Sequence, residues 1–379
     1  MRFEFATATR IVFGEGSAAT LPQVVLDFGA RPLIVTGSSA GRHAALFASL
    51  SAQTFAVPGE PTVDLIRHGA RLAQSASCDV VVAVGGGSAI DAGKAIAVVA
   101  TNGGEPLDFL EGVGRGRAIK APSLPLIAVP TTAGTGSEVT RNAVLASPEH
   151  AVKASLRSPL MLPRVALVDP ELTYALPPAV TAFTGLDALT QLIEPYVSAR
   201  SNPLVDPICI AGIERAARAL PRAFHDGADR EARGDMALAS LFGGLALANA
   251  GLGVIHGFAS PLGGISKAPH GALCAALLPY GMLTNVAALK ARAPQHPALA
   301  RYTAIARLLT RHSGASAEDG VGWVRALCAE LKIPALSAWG ITQADLPGIV
   351  EKAVQASSMK ANPLPLTREE LLAMIEAAR

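Results

Sequence analysis

Between residues 31 and 169 the chain alternates short, continuously apolar, β-branched runs with stretches of helical period, as βαβ units do. Residues 31–36 (RPLIVT) read as a buried strand, with Gly37 and then a helix to about Ser51 after it. Residues 54–57 form a second short run. Pro61 and Thr62 then open an amphipathic helix that carries Leu65, Ile66, Ala70 and Leu72 on one side. Residues 79–84 (DVVVAV) are apolar without alternation, as expected of a strand covered on both faces. Residues 127–130 give another strand, and 165–169 are expected to close the sheet. Beyond Leu172 no β-branched run recurs. Ala- and Leu-rich stretches take over, with breaks expected at Pro177-Pro178, Pro203, Pro221, Pro261, Pro334 and Pro363. The pattern predicts an α/β parallel-sheet domain over residues 1–175 and an all-helical domain over 176–379.

A chain of 379 residues exceeds what one core usually serves, and half of its residues are apolar. The net charge is +2 and no Lys/Arg run occurs, so no nucleic-acid partner is expected. Cys78, Cys209, Cys274 and Cys328 lie far apart without a C-x-x-C pair and read as reduced core residues. Residues 236–266 hold no Asp, Glu, Lys or Arg and are long enough to span a bilayer. Their many glycines, Asn249, His256 and Pro261, with no aromatic belt, favour a buried helix pair, and no membrane partner is expected. The opening MRFEFATATRIVFGEG has no basic stretch leading into an apolar one, so a cytoplasmic location is expected.

Gly85-Gly86-Gly87-Ser88 follows the 79–84 strand and opens a helix. Glycines let backbone approach a ligand closely, and the unpaired amides of a helix start suit a pyrophosphate. Ser88 adds a hydroxyl, and Asp91 is placed in the first turn. Gly14-Glu15-Gly16-Ser17-Ala18-Ala19 also approximates a dinucleotide motif, but Glu15 would face a phosphate, and an N-terminal turn is the better reading. A second loop, residues 130–138 (PTTAGTGSE), packs Thr131, Thr132, Thr135 and Ser137 around two glycines after the 127–130 strand. Such a loop at the carboxyl end of an open sheet suits a cofactor.

On a helical pattern, Asp187, Gln191 and Glu194 share one face among Leu186, Leu189 and Ile193, where unpartnered polar groups are costly. His256 and His270 flank a stretch in which Pro261 and Gly263-Gly264 are expected to interrupt the helix, so the two imidazoles converge from separate elements. A lone His256 reads as a satisfied core residue. Together with Asp187 and His270 it reads as a divalent metal site.

The motifs GGGSAIDAGKAIA (85–97), PTTAGTGSEVT (130–140), VDPELT (168–173), TGLDALTQLIEPYVS (184–198) and VIHGFASPLGG…PHGALCAALLP (254–279) resemble those of the iron-containing, group III alcohol dehydrogenases, including maleylacetate reductase-like members. The resemblance covers nearly the whole chain, in family order. It implies a Rossmann-like N-terminal domain and a helical metal-binding domain, with dinucleotide and metal in a cleft between them. By position it implies that Gly37, Gly86, Gly87, Ser88, Asp91, Thr131, Thr132, Thr135, Ser137, Lys153 and Leu172 bind NAD or NADP. It further implies a divalent metal, iron or zinc, on Asp187, Gln191, His256 and His270, with His256 and His270 catalytic, and a homodimer or larger assembly. Two positions depart from the family: Gln191 stands where a His is usual, and Ser260 where a second His often follows the first histidine ligand. After the first strand, Ser38, Ser39 and Arg42 replace the acidic residue of NAD-preferring members, so NADP is expected to be accepted.

The expected reaction is hydride transfer between NAD(P) and a small alcohol or carbonyl compound, with a metal as Lewis acid. The alternatives are a maleylacetate reductase-like activity on an oxo acid and a cofactor-binding protein with an impaired metal site.

Overall fold

The computed structural model describes residues 2–38, 40–150 and 152–379. It divides into two compact units, Ala6–Ala175 and Leu176–Arg379, with the residues up to Phe5 belonging to the second unit rather than the first.

The first unit is built on a six-stranded parallel sheet: β1 Arg10–Phe13, β2 Pro32–Gly37, β3 Gln53–Val57, β4 Val80–Gly85, β5 Leu126–Pro130 and, after a hairpin, β8 Val165–Val168. The order across the sheet is β1-β8-β5-β4-β2-β3. The strand at 165–168 was expected to close the sheet, yet it lies inside, because β1 pairs along its outer side from Arg10↔Val165 to Phe13↔Val168. Alternate side chains feed two separate cores. Leu33, Val35, Val81, Ala83, Leu126 and Ala128 pack on one face with α2 (Val63–Ser75) and α3 (Gly87–Asn102). Ile34, Val80, Val82, Val84, Ile127 and Val129 pack on the other with α1 (Leu21–Leu26). Burial on both sides explains the unbroken apolar runs.

Thr62 caps α2 by accepting from the Leu65 amide at 3.2 Å. Residues 40–47 form 3₁₀ turns instead of the expected α-helix, consistent with Gly41 inside the segment, a poor helix former. An antiparallel hairpin that the sequence pattern did not announce, β6 (Asn142–Ser147) and β7 (Val152–Arg157), covers part of α3.

The second unit is helical: α4 Pro178–Val197, α5 Val205–His225, α6 Arg230–Ala250, α7 Val254–Ile265, α8 His270–Arg292, α9 Pro297–Thr310, α10 Ala317–Glu330, α11 Leu346–Gln355 and α12 Arg368–Ala378. α4 is buried from Leu186 to Val197 and packs on α5, α6 and α8. Two expected breaks are absent, since Pro221 lies inside α5 and Pro261 inside α7. Tertiary packing offsets the amide each proline lacks. The uncharged stretch 236–266 is the α6–α7 pair, bent by 99°, and α8 is itself long and apolar enough to cross a membrane. Most of the apolar window in α8, 78%, is buried inside the protein. All four cysteines are free.

A polar cluster inside the first unit fixes the loop after β5. Lys94, 1% exposed on α3, donates to Ser137 Oγ (2.7 Å), Thr140 Oγ1 (2.8 Å) and the Asn142 carbonyl (2.8 Å), and lies 3.4 Å from Asp91 Oδ1. Burial holds the Lys94 ammonium below its ordinary value, against the pull of Asp91. Glu138 is also buried, and burial pushes its carboxyl up to about 7, although backbone hydrogen bonding and Lys94 act the other way. A carboxyl whose folded-state value exceeds its unfolded value binds its proton more tightly when folded. The associated stability is therefore complete below about pH 4.5 and is lost as pH rises to about 7. The neutral substitution Glu138→Gln should flatten the fall in melting temperature across that window. Parallel thermal scans of both proteins check this, and equal slopes would contradict it.

Candidate metal centre and dinucleotide site

The metal-ligating side chains come from three helices of the second unit. α4 supplies Asp187, α7 supplies His256 near its start, and α8 begins at His270 and carries Cys274 one turn later. Gly271 allows the start of α8 to meet α4. A Cβ there would lie 2.5 Å from the Phe183 carbonyl oxygen and 3.4 Å from Asp187 Cβ. Asp187 and His256 are buried, whereas the His270 side chain is 40% exposed.

Asp187 Oδ1 lies 3.3 Å from His256 Nε2 and 3.7 Å from His270 Nε2, and Cys274 Sγ lies 3.7 and 3.6 Å from the same two nitrogens. The four donor atoms all fall within 4.8 Å of one another. Asp187 Oδ1 is buried and has no hydrogen-bond partner. A buried carboxylate oxygen without a partner is costly, so this atom calls for a cation. The residues fit a divalent metal.

Glu194, on the same face of α4, fixes His256. Its Oε2 lies 2.7 Å from His256 Nδ1, and its Oε1 accepts from the Ile255 amide at 2.7 Å. The Val254 amide donates to Asn362 Oδ1 at 3.1 Å, so two side chains hold the first turn of α7. With Nδ1 engaged by a carboxylate, Nε2 is left as the atom directed at the cluster. Burial pulls both imidazoles toward neutrality, but Cys274 and Asp187 outweigh it. His256 ends well above its ordinary value, and His270 rises to about 9. Burial likewise disfavours the Asp187 carboxylate, yet His270 and His256 hold it below its ordinary value. A divalent cation bound here displaces any proton these nitrogens carry.

Sequence reasoning named Asp187, His256 and His270, which the structure brings together. It gave Glu194 no role and missed Cys274, for which the only signal is its i+4 spacing from His270. Gln191 is buried one turn after Asp187, with its Cβ against α6. A Cβ at Gly243 would approach it to 3.2 Å.

In the first unit, the remaining site residues sit where strands end. Gly37, Gly85 and Pro130 terminate the adjacent strands β2, β4 and β5. The chain runs from β2 outward to β3 and returns across β2 to β4, so Gly37 and Gly85 mark the point where strand order reverses. Open α/β sheets bind ligands at such a point. Gly86 caps α3 without any side-chain hydrogen bond to its amides. Gly87 and Ser88 follow in its first turn. Added Cβ atoms at Gly86 and Gly87 would lie 3.3 and 2.9 Å from the Thr132 and Thr135 hydroxyls, so the hydroxyl loop lies directly against the glycine turn. The Thr131 amide donates to the Gly85 carbonyl at 2.9 Å and joins the two.

Asp91 was placed in the first turn of this helix, but α3 starts at Gly87 and Asp91 falls beyond it. Its carboxylate accepts from Ser137 Oγ and from the Val144 amide (2.9 Å), so both Asp91 and Ser137 are engaged in the Lys94 cluster. Lys153, on β7, pairs with Glu60 at 3.4 Å. Leu172 follows β8 and packs in the second core. Ser39 lies outside the described residues, while Ser38 and Arg42 flank it after β2. Gly14-Glu15-Gly16 forms a turn tied to the end of β8 by Gly14 N to Val168 O (3.1 Å) and Ala18 N to Asp169 Oδ2 (2.9 Å).

Comparison with known proteins follows this geometry. The family model described as iron-containing alcohol dehydrogenase matches residues 8–170, and that of the Fe-containing alcohol dehydrogenase family, C-terminal, matches 181–379. Alcohol dehydrogenase 4 of Saccharomyces cerevisiae is 39% identical over 322 residues, 84% of this chain and 80% of its own. The crystal structure of a 1,3-propanediol oxidoreductase matches at a TM-score of 0.91 and 30% identity, covering 100% of both chains. That of sulfoacetaldehyde reductase from Bifidobacterium kashiwanohense in complex with NAD+ matches at 0.87 and 28%, over 100% of this chain and 99% of that one. The chain belongs to the iron-containing alcohol dehydrogenase family.

Proposed function

We propose that the protein is an NAD(P)-dependent alcohol dehydrogenase that interconverts small alcohols and aldehydes. The observation that carries this reading is the partnerless buried Asp187 Oδ1 facing two imidazoles, in a chain whose other unit keeps an uncapped helix start beside three glycines. A bound divalent cation supplies Lewis acidity at a carbonyl or alkoxide oxygen, and a nicotinamide ring gives or takes the hydride.

The chain's own residues do the holding. Asp187, His256 and His270 hold the cation, and Glu194 keeps His256 Nε2 aimed at it. Gly86 and Gly87 let the Thr132 and Thr135 side chains pack against the start of α3, so their hydroxyls and that of Ser88, with the amides at the start of α3, supply donors for a pyrophosphate. Relatives that support this reading are named for alcohol dehydrogenase and 1,3-propanediol oxidoreductase activity.

Purified protein incubated with a panel of short aldehydes should oxidise NADH or NADPH. Thermal stabilisation by nucleotide with no turnover on any aldehyde would overturn the reading. NADPH should support turnover at least comparable to NADH, since no acidic side chain occurs among Gly37, Ser38 and Arg42. Strict use of NADH would reject that part. Glu194→Gln puts an amide N–H against His256 Nδ1 and so favours the tautomer with a proton on Nε2. Metal affinity should fall about 10- to 100-fold by competition with a chelator. Unchanged affinity would show that Glu194 does not set the tautomer.

A further inference from the structure

We propose that Cys274 is a metal ligand, completing with Asp187, His256 and His270 a tetrahedral set that favours zinc over iron. The proposal rests on the reading that this cluster holds a divalent cation.

The distances carry it. A tetrahedral ion bound at roughly 2.0–2.3 Å separates its ligand atoms by about 1.63 times that length, or roughly 3.3–3.8 Å. Four separations within the cluster are 3.3, 3.7, 3.7 and 3.6 Å, and the remaining ones fall within 4.8 Å. Four of the six separations therefore match the edges of a coordination tetrahedron, and the other two lie within 4.8 Å. Cys274 is fully buried, one turn along α8 from His270, with its sulfur against both imidazole nitrogens. Cys328, on α10, offers a contrast: among the described residues its sulfur donates to the backbone carbonyl of Ala275, at 3.6 Å.

A sulfur donor also changes the charge of the set. On binding, the Cys274 thiol releases its proton, and the thiolate and the Asp187 carboxylate together neutralise a divalent ion. The Glu194 carboxylate against His256 Nδ1 adds a further negative charge beside this set. Asp187, His256, His270 and Cys274 already assemble four donor atoms. The nitrogen donor missing from α4 is thus made good by a sulfur donor on α8. Thiolate and imidazole in tetrahedral array suit zinc, whereas iron(II) without sulfur favours more oxygen and nitrogen ligands.

The test uses the full-length protein, stripped of metal and reloaded anaerobically with cobalt(II) as a spectroscopic stand-in. Wild type should show the visible bands of a tetrahedral ion and a sulfur-to-cobalt charge-transfer band in the near ultraviolet. Cys274→Ser should bind cobalt without the charge-transfer band, and its zinc affinity should fall about tenfold or more. With zinc and iron(II) supplied together in equal amounts, wild type should take zinc, and Cys274→Ser should lose that preference. Gln191→His added to Cys274→Ser should recover metal retention without recovering the charge-transfer band, which also guards against a variant that merely folds poorly. Cobalt bound by wild type with no charge-transfer band, or equal zinc affinity in Cys274→Ser, would overturn the role of Cys274 while leaving the metal site standing. A wild-type protein that binds neither cobalt nor zinc would overturn both.

Discussion

The second unit is organised around one buried carboxylate oxygen. Asp187 Oδ1 has no hydrogen-bond partner, in a helix whose neighbours are Leu186, Ala188 and Leu189, all buried. An ionised group in such a place is retained only if opposite charge is brought to it. The surroundings do this at several levels. Gly271 lets α8 approach α4 so that His270 arrives, the 99° bend after α6 turns α7 inward so that His256 arrives, and Glu194 with Asn362 anchors the start of α7. Each of these devices would be an expense to a simple helical core. Together they make sense as the means of holding positive charge at one point.

The first unit solves the complementary problem of receiving negative charge. Some helix starts are closed by side chains, such as Thr62 on α2, Asp229 on α6, Ser316 on α10 and Thr367 on α12, whereas others, α7 at Gly253 among them, are not. α3 starts at Gly87, after the glycine N-cap Gly86, with no side-chain cap; the Ala89 amide bonds the Gly86 carbonyl, and the start of the helix lies beside the strand ends where open sheets bind ligands. The loop beside it is held from beneath by Lys94, which engages Ser137, Thr140 and the Asn142 carbonyl. Polar residues of one motif therefore divide into two layers. Thr132 and Thr135 face the glycine turn, while Asp91, Lys94 and Ser137 turn inward and set the position of the others.

What could be read from the sequence was whatever a short local pattern determines. The parallel strands announced themselves because burial on both faces leaves an unbroken apolar run, and the glycine turn because no other residue allows such close approach. The hairpin β6–β7 escaped because NAVLAS and VKASLR are short and rich in small residues, with only every other position of β6 fully buried. The inward turn of Asp91 escaped for a different reason: its partners, Ser137 and Val144, lie 46 and 53 residues away. Pro221 and Pro261 misled because packing on neighbouring helices outweighs the loss of one amide hydrogen bond. Cys274 was invisible as chemistry, since a lone cysteine in GALCAALL reads as core until His256 is seen beside it.

That last case shows why a motif should be read as a set of positions in space. On a helix, i and i+4 share a face, so Asp187 and Gln191 on α4 are spaced as His270 and Cys274 are on α8. A donor lost at the second position of one pair is geometrically replaceable at the second position of the other, with no change in backbone. Such an exchange preserves the number of ligands and alters their chemistry, from imidazole nitrogen to thiolate sulfur. Since first-row divalent metals differ more in preferred ligand and geometry than a fold can easily discriminate by size, one such exchange is enough to redirect a site from one metal to another. A family defined by its backbone and by most of its motif can in this way contain members whose metal differs from the one that gave the family its name.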